Sequence, residues 1–284
     1  MSSSHFDPAP WLDACRRMVS GIDEVLADHA TTVDRAVVVG LGEGGDRTLV
    51  IDELAEDAVF AELTKLSEDG LAFTAVGEER GEVDFGSRDI AVLVDPIDGS
   101  LNAKRVGGPC ALSIAVATGW TVEDVVFGFV HDFHAGEEWV AVSGEGATLN
   151  GLPLDPSLPA RIREDGKVEI LGIESADPRW VVGAGDELLN AAYRLRALGA
   201  IAVTLCQVAA ARYDAMVSLR DCRAVDAAAA QLVVREAGGL VCFPGLDSPL
   251  AAPLDLVGHA PVAAGRDQQS LDIAISVAAR AAKE

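Results

Sequence analysis

A layered α/β or α+β fold is predicted by three features of the sequence. Apolar residues recur at helical spacing in several long segments, and short Val- and Ala-rich runs of strand length lie between them. Both kinds of segment occur in both halves of the chain, and no internal repeat or low-complexity tract interrupts them. With 284 residues, 50% of them hydrophobic, the chain is long enough to bury a substantial core.

The elements follow in order. Asp7-Pro8 supplies a cap and a first-turn proline, and Trp11, Leu12, Cys15, Met18, Val19, Ile22, Val25 and Leu26 then recur every 3.6 residues, predicting a helix over 8–29. A Val-rich and then Gly-rich stretch occupies 37–45, and a second helix is predicted over 52–67, ending before Gly70. Strands are predicted at 72–76, 90–94, 112–117, 125–130 and 139–143. Pro153, Pro156 and Pro159, in a polar stretch, mark an expected boundary at 152–162, dividing the chain into halves 1–155 and 156–284. Beyond it come a strand at 169–173, helices at 178–196, 201–212, 225–237 and 267–282, and strands near 240–243 and 261–264.

Lys and Arg number 22 against 45 Asp and Glu, a formal net charge of −23. Such acidity argues against a nucleic-acid polymer as partner and against a polybasic membrane anchor. The first residues show no basic region followed by an apolar one, and no apolar run approaches the roughly 18 residues of a membrane span, so neither secretion nor membrane insertion is expected. Cys15, Cys110, Cys206, Cys222 and Cys242 are scattered, odd in number and without CxxC spacing, which predicts free thiols in a reducing cytoplasm.

Val37-Val-Val-Gly40-Leu-Gly42-Glu-Gly-Gly45 matches the strand-GxGxxG pattern of dinucleotide sites. The context fails, because the extended-looking Asp46-Arg-Thr-Leu-Val-Ile follows where a helix should open. No Lys-Ser or Lys-Thr follows the glycines either, so the stretch is read as a Gly-rich loop. His131-Asp132-Phe133-His134 has no third ligand in view and is read as a turn after a strand.

The sharpest feature is Val94-Asp95-Pro96-Ile97-Asp98-Gly99-Ser100-Leu101-Asn102, at the end of an apolar strand. Pro96 and Gly99 shape a turn that aims both aspartates, and the Ile97 carbonyl, toward one point. An all-oxygen cluster of this kind suits Mg²⁺ rather than Zn²⁺, and a helix opening at Ser100 would present backbone N–H groups to a phosphate. Taken alone, an ordinary surface turn accounts for the same residues. Glu78-Glu79 follows another apolar strand, while Asp226 and Asp52 each begin an apolar helix, where capping is the ordinary explanation.

Together these segments resemble the inositol monophosphatase family of Mg²⁺-dependent, lithium-sensitive phosphatases, which includes archaeal-type fructose-1,6-bisphosphatases. The motifs that carry the resemblance are Asp46–Glu56, Gly77-Glu78-Glu79, Asp95-Pro-Ile-Asp98-Gly99-Ser100 with Asn102, Gly146–Gly151, Arg196–Gly199 running into Val208–Ala215, and Asp226 before Glu236-Ala-Gly-Gly. The resemblance implies an αβαβα sandwich, a homodimer, two or three Mg²⁺ per site and a small anionic phosphorylated substrate. It further implies that Glu78, Asp95 and the Ile97 carbonyl hold a first metal, and Asp95, Asp98 and Asp226 a second. Gly99 and Ser100 N–H groups would receive the phosphate, and Asp52 paired with Ser100 Oγ would activate water, with Glu78 completing the catalytic set.

Several positions depart from the family pattern. Ser100 stands where Thr is common, Val225 replaces a usual Trp, and Ala230 replaces a Gly. The glycine-rich loop lacks its usual Lys, for which Arg47 is the candidate replacement, and Leu219 stands where inositol-type members carry an acid. Arg220, Arg223, Lys104 and Arg105 are candidates for a second phosphate, favouring a sugar bisphosphate or a broad sugar-phosphate monoesterase. The alternatives are a family phosphatase acting on a 3′-phosphonucleotide or NADP, and a non-catalytic metal- and phosphate-binding relative.

Overall fold

A computed structural model describes residues 6–43 and 47–281, and for Arg47 and residues 279–281 the backbone alone. The tip of the glycine-rich stretch and the Arg47 side chain therefore lie outside the described residues.

The first half contains α1 (Ala9–Asp28), α2 (Thr32–Arg35), β1 (Val38–Leu41), β2 (Arg47–Leu49), α3 (Val50–Glu68), β3 (Phe73–Gly77), β4 (Gly81–Asp98) and α4 (Ser100–Arg105). It continues with β5 (Ala111–Ala117), β6 (Val125–Asp132), β7 (Glu137–Val142), β8 (Gly146–Leu149) and β9 (Leu152–Pro153). Then follow β10 (Val168–Glu174), α5 (Pro178–Gly183), α6 (Gly185–Ala191), β11 (Ala192–Arg196), α7 (Ile201–Ala209) and β12 (Ala215–Ser218). The chain closes with α8 (Ala224–Glu236), β13 (Leu240–Cys242), β14 (Ala263–Gly265) and α9 (Gln268–Ala281).

Among the described residues the strands form three sheets: the β1–β2 hairpin, a seven-stranded sheet in the order β3-β4-β5-β6-β7-β8-β9, and a five-stranded sheet in the order β11-β10-β12-β14-β13. Alternation along the strands sorts their side chains into layers. Val92 and Val94 join Ile114, Val116, Phe127 and Phe129 in a core with Trp11, Met18 and Ile22 of α1 and Ile51, Val59 and Leu63 of α3. Ala91 and Leu93, on the opposite face, pack with Val203 and Leu205 of α7, Leu232 and Val233 of α8, and Met216, Val241 and Ala264 of the second sheet. The far face of that sheet, through Leu171, Ile173 and Val217, covers Leu188 of α6 and Leu271, Ala274 and Val277 of α9. The order of layers is αβαβα.

The central helix α8 explains its own composition. Ala227, Ala228, Ala229 and Ala230 are fully buried, and small side chains let the helix approach β6 so closely that a Cβ on Gly128 would lie 2.5 Å from the Ala229 carbonyl. Such a core tolerates no added methylene without displacement.

One expectation needs correction, and some short strands escape the sequence pattern. The helix expected over 178–196 is two short helices followed by strand β11, paired in parallel with β10 from Val168↔Ala192 to Gly172↔Arg196. Tyr193-Arg-Leu-Arg alternates with period two, and strand pairing prevails over helix propensity there. Strand β12 was not anticipated, because Ala215–Ser218 is a short, wholly buried run without alternation. The β8–β9 hairpin was also missed, although Asn150-Gly151, both at positive φ, is a hairpin turn signal. The GxGxxG stretch opens no helix: β1 pairs antiparallel with β2, which rules out the dinucleotide arrangement.

Candidate active site

Two carboxylates three residues apart would point to opposite faces of a regular strand. β4 avoids this with a one-residue bulge, since Asp95 pairs with Ser113 of β5 and Asp98 with Ala111. Pro96 lies in the bulge, where its missing N–H interrupts no ladder bond. Both aspartates therefore line one cavity of about 850 Å³, together with Asp52, Glu78, Glu79, Ile97, Gly99, Ser100, Lys104, Glu174, Asp177, Arg220, Arg223 and Asp226. Of the catalytic, metal, phosphate and substrate candidates proposed from sequence, Arg105 is not among the lining residues; it is exposed at the end of α4.

The bulged turn is held from two sides. Asp95 Oδ1 accepts the Ile97 N–H at 3.0 Å, and the Asp98 oxygens accept the N–H groups of Ile201 at 3.1 Å and Ala202 at 2.7 Å, at the start of α7. Gly99 has φ +89°, and a Cβ there would come within 2.9 Å of the Pro109 carbonyl and 3.0 Å of the Gly199 carbonyl, so glycine is required. Asn102 Nδ2 donates to the carbonyls of Pro109 and Leu198, both at 2.7 Å, tying α4 to the segment before α7.

Asp52 and Asp226 each sit at the third position of a helix and accept the N–H of the residue before it. Asp52 Oδ2 takes the Leu49 N–H and Asp226 Oδ2 the Arg223 N–H, each at 3.2 Å. Asp52 Oδ1 is buried without a hydrogen-bond partner among the described residues. The Ser100 hydroxyl donates to the Ile97 carbonyl at 3.0 Å, not to Asp52 as the resemblance implied, although it lies near enough to favour the Asp52 carboxylate.

The cavity concentrates negative charge in a place sheltered from water. Burial raises Asp52 to about 6, against the Leu49 N–H and with help from Glu79. Burial also pushes Glu78 to about 7, with the Arg223 guanidinium opposing and Asp226 adding to the rise. Asp95 is held well above the carboxylate range by burial and by repulsion from Glu78, Asp98 and Asp226. Asp98 is raised by burial, Asp226 and Glu174.

The donor set of four carboxylates and the Ile97 carbonyl is all oxygen, and its chemistry fits a hard divalent cation that would relieve this repulsion. Among the described residues, no three His, Cys, Asp or Glu side chains close on one point as a formed cation site would. Instead a protein cation stands among the acids: Arg223 Nη2 lies 2.7 Å from Glu78 Oε1 and 3.1 Å from Asp226 Oδ1.

Comparison with known proteins extends this geometry. The sequence model of the inositol monophosphatase family matches residues 7–279. The chain belongs to the inositol monophosphatase family. Its relatives in this family include phosphoric monoester hydrolases. The chain is 31% identical over 242 residues to the fructose-1,6-bisphosphatase/inositol-1-monophosphatase of Methanothermobacter thermautotrophicus, covering 81% of this chain and 83% of the relative. It is 33% identical over 222 residues to the Nus factor SuhB of Pasteurella multocida, covering 76% and 77% respectively. A solved inositol monophosphatase–fructose 1,6-bisphosphatase aligns with a TM-score of 0.79 at 25% identity, over 94% of this chain and 99% of that one.

Within this inositol monophosphatase fold three of the departures fall in the interior. Val225 and Ala230 are buried in the central core. Leu219, where inositol-type members carry an acid, is buried in the core of the outer layer. Sequence reasoning missed Glu174 and Glu56. Glu174 is 2% exposed and accepts the N–H groups of Leu198 and Gly199 and, at 2.6 Å, the Thr204 hydroxyl. Its signal was the one that marked Asp95: an acid ending an apolar strand. Glu56, four residues after Asp52 on α3, accepts the Glu79 N–H at 3.1 Å and so fixes the turn that carries Glu78. His131 and Asp132 end strand β6, and in the turn that follows Asp132 accepts the His134 N–H at 2.9 Å.

Proposed function

We propose that the chain is a Mg²⁺-dependent phosphomonoesterase acting on small sugar or polyol phosphates, with a sugar bisphosphate as the favoured substrate. The observation that carries this reading is the β4 bulge, which turns Asp95 and Asp98 into one cavity with Glu78, Asp226, Asp52 and Ser100.

Glu78, Asp95 and the Ile97 carbonyl would hold one Mg²⁺, and Asp95, Asp98 and Asp226 a second. When bound, Mg²⁺ neutralises phosphoryl oxygens and acidifies water, the chemistry of two-metal phosphoester hydrolysis. The remaining work belongs to the chain. Asp52, buried and titrating at about 6, is suited to accept a proton from the attacking water near neutral pH, with Ser100 Oγ beside it to orient that water. Gly99 and Ser100 line the cavity where their N–H groups would meet the phosphoryl oxygens. Lys104 and Arg220, on the same lining, would attract a second anionic group. Five free thiols are consistent with a reducing cytoplasm, and the assembly is read as a homodimer.

Asp95→Asn tests the assignment, because Asn keeps the size and the acceptor for the Ile97 N–H while removing the charge. Turnover should fall at least about a thousandfold with circular dichroism unchanged. Turnover near the parent value would remove Asp95 from the metal site.

A further inference from the structure

The four cations proposed from sequence occupy different settings, and Arg223 stands apart. It precedes α8, with its backbone N–H and Nε both facing Asp226 Oδ2, at 3.2 and 3.5 Å. Its Nη2 bridges Asp226 and Glu78, two carboxylates delivered from different halves of the sequence. The three side chains are only 13–21% exposed. Burial works against the guanidinium charge, and Asp226, Glu78 and Asp95 more than offset that.

We propose that Arg223 is an internal counter-cation, competing with the divalent metal for Glu78 and Asp226 and turning to the anionic substrate once the metal holds them. The proposal rests on the metal-dependent reading above. A carboxylate oxygen bridged by a guanidinium N–H gives up one of its lone pairs to it, and a metal held between the same two carboxylates would be repelled by the guanidinium at close range. Pairing and metal binding therefore oppose each other, by the same factor in both directions. A displaced Arg223 stays tethered three residues before Asp226, on the lining of the same cavity, and a guanidinium fork is suited to phosphoryl oxygens. The substrate anion would then take the place of the carboxylates, which couples tight anion binding to prior metal binding.

The test is calorimetric and needs no turnover. Mg²⁺ is titrated into the full chain and into Arg223→Gln and Arg223→Lys, and inorganic phosphate is then titrated into each at saturating Mg²⁺. Arg223→Gln should bind Mg²⁺ about tenfold more tightly and phosphate about tenfold more weakly, with Arg223→Lys between. The opposed signs separate this role from a structural one, which would weaken both. Mg²⁺ affinity in Arg223→Gln equal to or weaker than the parent's overturns the proposal. Absence of Mg²⁺ binding in the parent overturns the metal-dependent reading as well, so the two failures are distinguishable.

Discussion

Asp52 and Asp226 show that capping and a place in the site are compatible roles for one carboxylate. Each caps a helix with one oxygen, and that bond holds the side chain on the cavity lining. Asp52→Asn keeps an acceptor for the Leu49 N–H, so it should lower kcat by at least about a hundredfold with little loss of melting temperature. A matching fall in thermal stability would mean that Asp52 serves the fold alone. Glu56 offers a prediction outside the proposed ligands. It is 1% exposed, and burial raises it from 4.5 to about 7, against the Glu79 N–H and Arg80. A carboxyl raised on folding contributes stability that is complete below about 4.5 and is lost as pH rises through about 7. From pH 5 to 8 the parent should therefore lose up to about 3 kcal/mol more than Glu56→Gln. Parallel melting curves for the two proteins across that range would contradict it.

At the scale of elements, the long periodic helices and the apolar strands of the first half were legible because amphipathic spacing accumulates over many residues. The short elements of the second half were not. β11 carries exposed Tyr193 and Leu195 on a strand that only pairing with β10 defines, and Ala215–Ser218 has too few residues to show a period. The carboxylates of the site were visible as acids ending apolar strands, but the bulge that aligns Asp95 with Asp98 depends on the register of β5. The clamp behind them was likewise hidden, because Glu174 acts on residues some 24–30 positions away. Glu174 holds the segment that supplies the Ile201 and Ala202 N–H groups to Asp98. Glu174→Gln turns an amide NH₂ toward those donors, and kcat should fall about tenfold while KM changes little. A change confined to melting temperature would make the residue purely structural.

For the whole molecule, the five layers place α7 and α8 between two sheets, and the cavity draws on both: β4 and α3 from one side, β10 and the start of α8 from the other. The net charge of −23 divides accordingly. Eight of the 45 acids, Asp52, Glu78, Glu79, Asp95, Asp98, Glu174, Asp177 and Asp226, line the cavity, while most of the remainder solvate the surface. An acidic protein is thereby compatible with an anionic substrate, since cations gathered by those acids reverse the local field. The measurement that bears most directly on this account is phosphate release by the purified chain from fructose-1,6-bisphosphate, inositol 1-phosphate and 3′-phosphoadenosine 5′-phosphate, with and without Mg²⁺. The account predicts Mg²⁺-dependent release, fastest from fructose-1,6-bisphosphate; no Mg²⁺-dependent release from any of the three would contradict it.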